Sequence, residues 1–229
     1  MSVNLNFIII IGRDNVGKTS TADTFVEHFN RIHGIVNKRV SFADVLKNIY
    51  IQTNTLGIKS KFELEAQKKA DKSEVREQLI RLGQAIKKCS SNPYFFVNAL
   101  FDSAILEAIK ESVDDDSTKV CNIFIDDLRF IEEVKGLKKK VDEYYEKYSI
   151  LKSIKIIPIH LDSSKGKDTT LTSEQVETLY QEFSMFQDVP LGIISQTSVV
   201  PKEIFYTDGT DYGFTKLLLR FQQVLQNTN

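Results

Sequence analysis

The chain alternates between short apolar runs and longer stretches whose apolar residues recur every three or four positions. The first run, Phe7 to Ile11, is uninterrupted, as in a strand buried on both faces, and predicts a strand over about 5–11. The period then changes. Ala22, Phe25, Val26, Phe29 and Ile32 share one helical face, and Gly34 supplies a stop near 33. A short strand at about 37–42 and a helix at about 43–51 follow. Residues 60–90 predict helix, with one apolar stripe at Val75, Leu79, Leu82 and Ile86. Asn92 and Pro93 fit the N-cap and first position of a helix running to about 111. Val120–Ile125 reads as a second buried strand ending in Asp126 and Asp127, and Ile131, Val134, Leu137, Val141, Tyr145 and Tyr148 mark the helix after it. A strand at about 154–161 leads into a polar segment at 162–172. Thr172 and Gln175 then form a capping box for a helix carrying Val176, Leu179, Tyr180 and Phe183. A strand at about 203–207 and a C-terminal helix end the pattern. Such alternation implies an α/β fold, a parallel sheet with helices on both faces. No repeat or linker divides it, so one domain over 1–229 is expected.

The turn between the first strand and helix carries chemistry. Gly12-Arg-Asp-Asn-Val-Gly17-Lys18-Thr19 is the full G-x-x-x-x-G-K-[ST] pattern, placed where a phosphate loop requires it. The glycines let backbone N–H groups close on phosphate oxygens, and the following helix N-terminus adds its own attraction for anions. Lys18 is positioned to reach β/γ-phosphates and the Thr19 hydroxyl to ligate Mg²⁺; Gly12, Asp14, Asn15, Val16, Gly17 and Ser20 complete the expected nucleotide cradle. ATP and Mg²⁺ are the implied cofactors.

Composition narrows the setting. A formal net charge of −1 gives no broad electrostatic case for nucleic acid or an anionic membrane. No apolar stretch approaches the ~18 residues of a membrane span, and residues 7–11 are too short for a signal-peptide core. Cys89 and Cys121 lack metal-ligand spacing and read as reduced and structural, so a cytoplasmic location, or the cytoplasm of a host cell, is expected. Seven of the 30 basic residues are Arg, which makes each one worth inspecting.

Four further stretches belong together: Val40-Ser-Phe-Ala-Asp-Val-Leu-Lys47; Arg76 to Gly83 running on to Asn92-Pro-Tyr-Phe-Phe-Val-Asn98; Ile123-Phe-Ile-Asp-Asp-Leu-Arg-Phe-Ile-Glu-Glu133; and Phe205-Tyr-Thr-Asp-Gly-Thr210. In this order they resemble the phage and viral deoxynucleoside monophosphate kinases, a branch of the P-loop nucleoside monophosphate kinases, and animal phosphomevalonate kinase is similar in the same places. The resemblance spans about residues 5–225. It implies a P-loop three-layer sandwich with a five-stranded parallel sheet in order 2-3-1-4-5. It also implies an NMP-binding region at about 42–111, a lid at about 162–185, and transfer of the ATP γ-phosphate to a nucleoside monophosphate. A homodimer stays open beside a monomer.

Phosphoryl transfer asks for positioning and charge neutralisation rather than a protein nucleophile. Lys18, Asp127 and Arg129 are therefore the expected catalytic residues. Asp127 would orient the attacking phosphate or pair with an Arg, and Arg129 would grip a phosphate bidentately or pair with Asp127 or Glu133. Asp126 is expected to hold the Mg²⁺ shell with Thr19. Glu133 either contacts the substrate or is structural. Ser41 is expected at the substrate phosphate or sugar, and Phe42 either stacks on a base or fills core. Lys72, Arg76, Ile80, Gly83 and Lys87 form a second helical stripe, from which Lys72 and Arg76 are expected to face the monophosphate. The alternative is a solvated basic face. Gly83 inside a helix suggests close approach of another group. Asp14 either positions a substrate group or faces outward, and the lid position offers Lys165 and Lys167 where relatives use Arg.

Three other readings compete, and the intact Lys18, Thr19, Asp127 and Arg129 argue against one of them, a non-catalytic nucleotide-binding scaffold. The phosphate loop is also Ras-like, but guanine recognition needs an N-K-x-D after a central strand, and Asn37-Lys38-Arg39-Val40 lacks the Asp and falls too early. Phosphomevalonate as acceptor shares the framework; Phe42, Tyr94 and Phe95 tilt the choice toward a planar base.

Overall fold

The computed structural model describes residues 3–32, 34–54, 57–70, 72–114, 120–162, 171–184, 197–199 and 203–206. Strands β1 (Val3–Ile11), β2 (Ile35–Val40), β3 (Val120–Ile125) and β4 (Leu151–Asp162) pair in parallel in the order β2-β3-β1-β4. One expectation is corrected here. The single fifth strand is replaced by two short ones, β5 (Thr197–Val199) and β6 (Glu203–Tyr206), which both run parallel to β4. β5 lies level with Ile154–Ile156 and β6 with Ile159–Asp162. A strand as long as β4 offers room for two successive partners along one edge.

β1 lies between β3 and β4 and is buried on both faces, which explains its unbroken apolar sequence. Phe7, Ile9 and Ile11 face the larger core, and Ile8 and Ile10 face the smaller one with Phe25 and Phe29 of α1 (Lys18–Phe29). α1 ends at Phe29, earlier than the apolar spacing predicts, and Ile32 beyond it is exposed. The opposite face is covered by α5 (Phe95–Leu100), a π-helical turn (Phe101–Ile105), α6 (Leu106–Asp114), α7 (Ile131–Lys147) and α8 (Ser173–Ser184). Helices on both faces give the three layers expected.

Between β2 and α5 the chain makes α2 (Phe42–Thr53), α3 (Lys61–Ala70) and α4 (Lys72–Cys89). The helical stretch expected at 60–90 is two helices packed on one another, the second matching the helix read at 72–88, with Tyr50, Ile58, Leu64, Val75 and Leu79 forming a small core of their own with α2. The predicted stripe on α4 serves two centres: Val75, Leu79 and Leu82 fill this small core, while Ile86 packs on the main one. The helix expected from Asn92 starts later. Asn92 Oδ1 accepts from the Tyr94 N–H at 2.9 Å, and helical structure begins at Phe95. The Thr172/Gln175 capping box forms in both directions, at 2.9 and 3.2 Å.

Of the expected lid, Lys165 and Lys167 lie outside the described residues. Residues 171–184 include α8, whose Val176, Leu179, Tyr180 and Phe183 are buried in the main core. The expected C-terminal helix lies outside the described residues as well.

Candidate functional site

Parallel pairing places the ends of β1, β2 and β3 at one edge of the sheet, where α/β proteins bind ligands. Ile9 is level with Ile125, and Val40 is also level with Ile125. The phosphate loop after β1, Asp126 and Asp127 after β3, and Arg39 and Ser41 around the end of β2 therefore converge without any pairing signal in the local sequence.

The loop has the backbone its pattern implies. Gly17, the N-cap of α1, takes φ +90°, a left-handed conformation that side chains resist. A Cβ on Gly12 would stand 2.3 Å from the Leu161 carbonyl oxygen, so β4 allows only glycine there. Asn15 has φ 64°, which Asn tolerates better than most residues. Val16 is buried in the smaller core and pins the loop from beneath, while Ser20 is exposed in the first turn of α1.

Lys18 Nζ donates to the Gly12 and Arg13 carbonyls, each at 2.8 Å. An ammonium has three donors, so one remains for a ligand oxygen. Burial lowers the Lys18 pKa; Asp14 opposes this most strongly, Arg129 adds to it, and Asp126 and Asp127 oppose it further. Asp14 thus acts on Lys18 as its leading anionic neighbour.

Thr19 Oγ1 donates to Asp126 Oδ2 at 2.6 Å, and Arg39 Nε donates to the same oxygen at 3.1 Å. Asp126 is 2% exposed, and its other oxygen, Oδ1, has no hydrogen-bond partner among the described residues. A buried carboxylate oxygen left without a donor is rare and costly. This is the observation that fits a Mg²⁺ shell. Among the described residues no group of three or more His, Cys, Asp or Glu could hold a metal unaided.

Asp127 faces the other way. Its Oδ2 accepts from Ser41 Oγ and the Ala43 N–H, each at 2.7 Å, and its Oδ1 accepts from the Phe42 N–H at 3.0 Å. The carboxylate therefore caps the N-terminus of α2, and Ser41 is spent on it. Burial and the adjacent Asp126 charge raise the Asp127 pKa, while the Ser41, Ala43 and Phe42 donors pull it down. Phe42, at 5% exposure, belongs to the main core and has no ring face for a base, which corrects the stacking alternative.

Glu133 is 7% exposed. Its Oε2 accepts from the Arg129 N–H at 2.8 Å and the Phe130 N–H at 3.1 Å, tying down the start of α7. Burial pushes its pKa up to about 7; the two N–H donors and Lys87 oppose this, and Asp127 adds to it. Glu133 holds the backbone of Arg129, and among the described residues the Arg129 guanidinium forms no ion pair with Glu133 or Asp127. Its positive charge is felt at Lys18, where it favours the neutral amine.

Arg76 is exposed on α4, away from these contacts, and the Lys72 side chain lies outside the described residues. A Cβ on Gly83 would meet Leu46 at 3.4 Å, an ordinary contact, so its close neighbour is a side chain of α2. Lys87, from the same stripe, sits 3.7 Å over the ring of Phe130, which is 47% exposed. Phe130 and Arg39 were not singled out by spacing. For Arg39 a signal existed: it is one of seven Arg, at the carboxyl end of a predicted strand. Asn37, the start of the imperfect guanine-type motif, lies within β2 and accepts from Asn122 Nδ2 at 2.8 Å. A residue paired inside the sheet is not placed to read a base.

No family model and no curated protein sequence matches this chain. Among solved structures it is similar to thymidylate kinase from Ehrlichia chaffeensis, with 14% identity and a TM-score of 0.42 over 97% of this chain and 99% of that one. A likeness that loose assigns neither a substrate nor a reaction to this chain.

Proposed function

We propose that this chain is an ATP-dependent kinase that transfers a γ-phosphoryl group to the phosphate of a (deoxy)nucleoside monophosphate, giving ADP and the nucleoside diphosphate. The observation that carries the donor site is the phosphate loop joined to Thr19 and Asp126, with one buried Asp126 oxygen unpartnered. In the transfer, the bond from the γ-phosphorus to the ADP oxygen breaks as the bond to the acceptor oxygen forms. The loop N–H groups and the third Lys18 proton would hold the donor phosphates. Thr19 and Asp126 would hold Mg²⁺, which supplies charge neutralisation on the phosphates when bound. The Thr19 hydroxyl donates its hydrogen bond to Asp126, which would leave its oxygen lone pairs for the cation. Arg129, whose charge is felt at Lys18 and which is unpaired among the described carboxylates, is the candidate to steady the transferred charge. Asp127 and Glu133 act on backbone, fixing α2 and the Arg129 segment so that this constellation keeps its shape.

The acceptor class rests on the four-stretch resemblance. Phe42 is buried and Tyr94 packs on Gly136, which leaves less aromatic surface for a base than the sequence suggests. Phosphomevalonate therefore belongs in the same test. An ADP-release assay across the common ribo- and deoxyribonucleoside monophosphates and phosphomevalonate should give turnover with at least one nucleotide, abolished by Lys18→Ala. Turnover with phosphomevalonate alone would reassign the acceptor, and none with any acceptor would sink the kinase reading. Among the described residues no helix is long and apolar enough to cross a membrane.

A further inference from the structure

Arg39 is the cation that the Asp126 carboxylate already has. Its side chain is 27% exposed and that of Asp126 is 1% exposed. Nε meets Asp126 Oδ2 at 3.1 Å, while Nη1 lies 3.5 Å from Asp23 Oδ1 on α1. The guanidinium, carried on β2, thus ties the residue that follows β3 to α1 through two carboxylates. Its second contact fixes the direction of the first. The same Asp126 oxygen accepts the Thr19 hydrogen bond at 2.6 Å, so Oδ2 is doubly committed and Oδ1 is left out of every protein hydrogen bond among the described residues.

We propose that Arg39 is a positioning residue for the divalent cation of the donor site: by clamping Asp126 Oδ2 together with Thr19, it reserves Oδ1 for the water shell of a cation that arrives with the nucleotide phosphates. This rests on the donor-site reading above. A clamp and a simple counter-charge predict opposite signs. As a positive charge near a cation site, Arg39 repels the incoming ion, so if charge alone mattered its removal would tighten cation binding. As a clamp, its removal frees the carboxylate to rotate, and cation binding weakens. Lys retains the charge but not the fork, and one ammonium cannot reproduce the Nε and Nη1 contacts to two carboxylates. Arg39→Lys therefore separates geometry from charge.

The test is calorimetric binding of ADP to the full chain, with and without Mg²⁺, for wild type, Arg39→Lys and Arg39→Met. The readout is the factor by which Mg²⁺ tightens ADP binding. Loss of an outer-shell partner of a metal ligand typically costs about 10- to 100-fold in metal affinity. Arg39→Lys and Arg39→Met are expected to reduce the Mg²⁺ enhancement by about tenfold or more while leaving metal-free ADP affinity near wild type, which also reports that the loop is folded. Arg39→Lys carries the test if Arg39→Met, which leaves Asp126 without its counter-charge, does not fold. An unchanged enhancement in Arg39→Lys, a larger one in Arg39→Met, or loss of metal-free ADP binding in Arg39→Lys overturns the positioning role. A wild-type protein with no Mg²⁺ enhancement overturns the donor-site reading and this inference together, and is distinguishable because the failure appears before any substitution.

Discussion

Glu133→Gln is expected to stabilise the protein at alkaline pH, because the structure gives Glu133 hydrogen bonds that need an acceptor but not a charge. Both N–H groups it serves, from Arg129 and Phe130, meet the same oxygen, Oε2. A glutamine can present its amide oxygen there and keep both bonds. What it removes is a buried carboxylate whose pKa burial has raised from 4.5 to about 7. Between those two values the folded chain still holds the proton and the unfolded chain has released it. Stability from this group is therefore complete below about pH 4.5 and lost as pH rises through about 7. At about 1.4 kcal/mol per tenfold change in proton affinity, the full swing is about 3 kcal/mol. The weaker bonds of a neutral acceptor are already contained in that net figure, since the donors oppose the shift. Wild type and Glu133→Gln should thus match within about 1 kcal/mol at pH 5, and the variant should be about 2–3 kcal/mol more stable at pH 8. Urea unfolding of both proteins at the two pH values measures this, and groups that titrate alike cancel in the difference. A variant equally or less stable at pH 8, or a gap that does not grow between pH 5 and pH 8, would refute the reasoning. If the variant also turns over more slowly, Glu133 serves the site as well as the helix.

Asp127→Ala removes three hydrogen bonds at the start of α2 and should cost about 2–4 kcal/mol in denaturant unfolding. Ser41→Ala should add little to it, since its donor has lost its acceptor; additive losses would mean Ser41 has another partner. Gly136→Ala would place a Cβ 2.8 Å from Tyr94 Cδ1 and 3.1 Å from Val97 Cγ2, and should destabilise by about 1–2 kcal/mol despite the better helix propensity of Ala. Gly83→Ala, with Leu46 at 3.4 Å, should instead stabilise by up to about 1 kcal/mol, and a measured loss would show that some group other than Leu46 needs that space.

The two substitutions mark what a linear reading can and cannot see. Gly83 and Gly136 are equally anomalous inside helices, yet one faces a side chain at ordinary distance and the other a ring that leaves no room. Periodicity found the stripe on α4, but only packing showed that it is divided between two cores.

By itself the sequence determined much of what is local. The apolar run of β1, the period of α1, the capping box before α8 and the phosphate loop are each written in contiguous residues, because strand burial, helical faces and backbone turns are set by neighbours one to four positions apart. The order of the four long strands also followed from the resemblance carried by short motifs. Tertiary structure alone decided how the two aspartates after β3 are used. Adjacent in sequence, they point apart: Asp126 toward Thr19 and Arg39, 107 and 87 residues away, and Asp127 toward Ser41, 86 residues away. Just past the end of β3 the two side chains leave the backbone toward different partners, and the parallel register of β2 on β3 chooses what each one meets. No local pattern encodes that register, so the clamp by Arg39 and the lone oxygen it leaves on Asp126 become visible only once the strands are side by side.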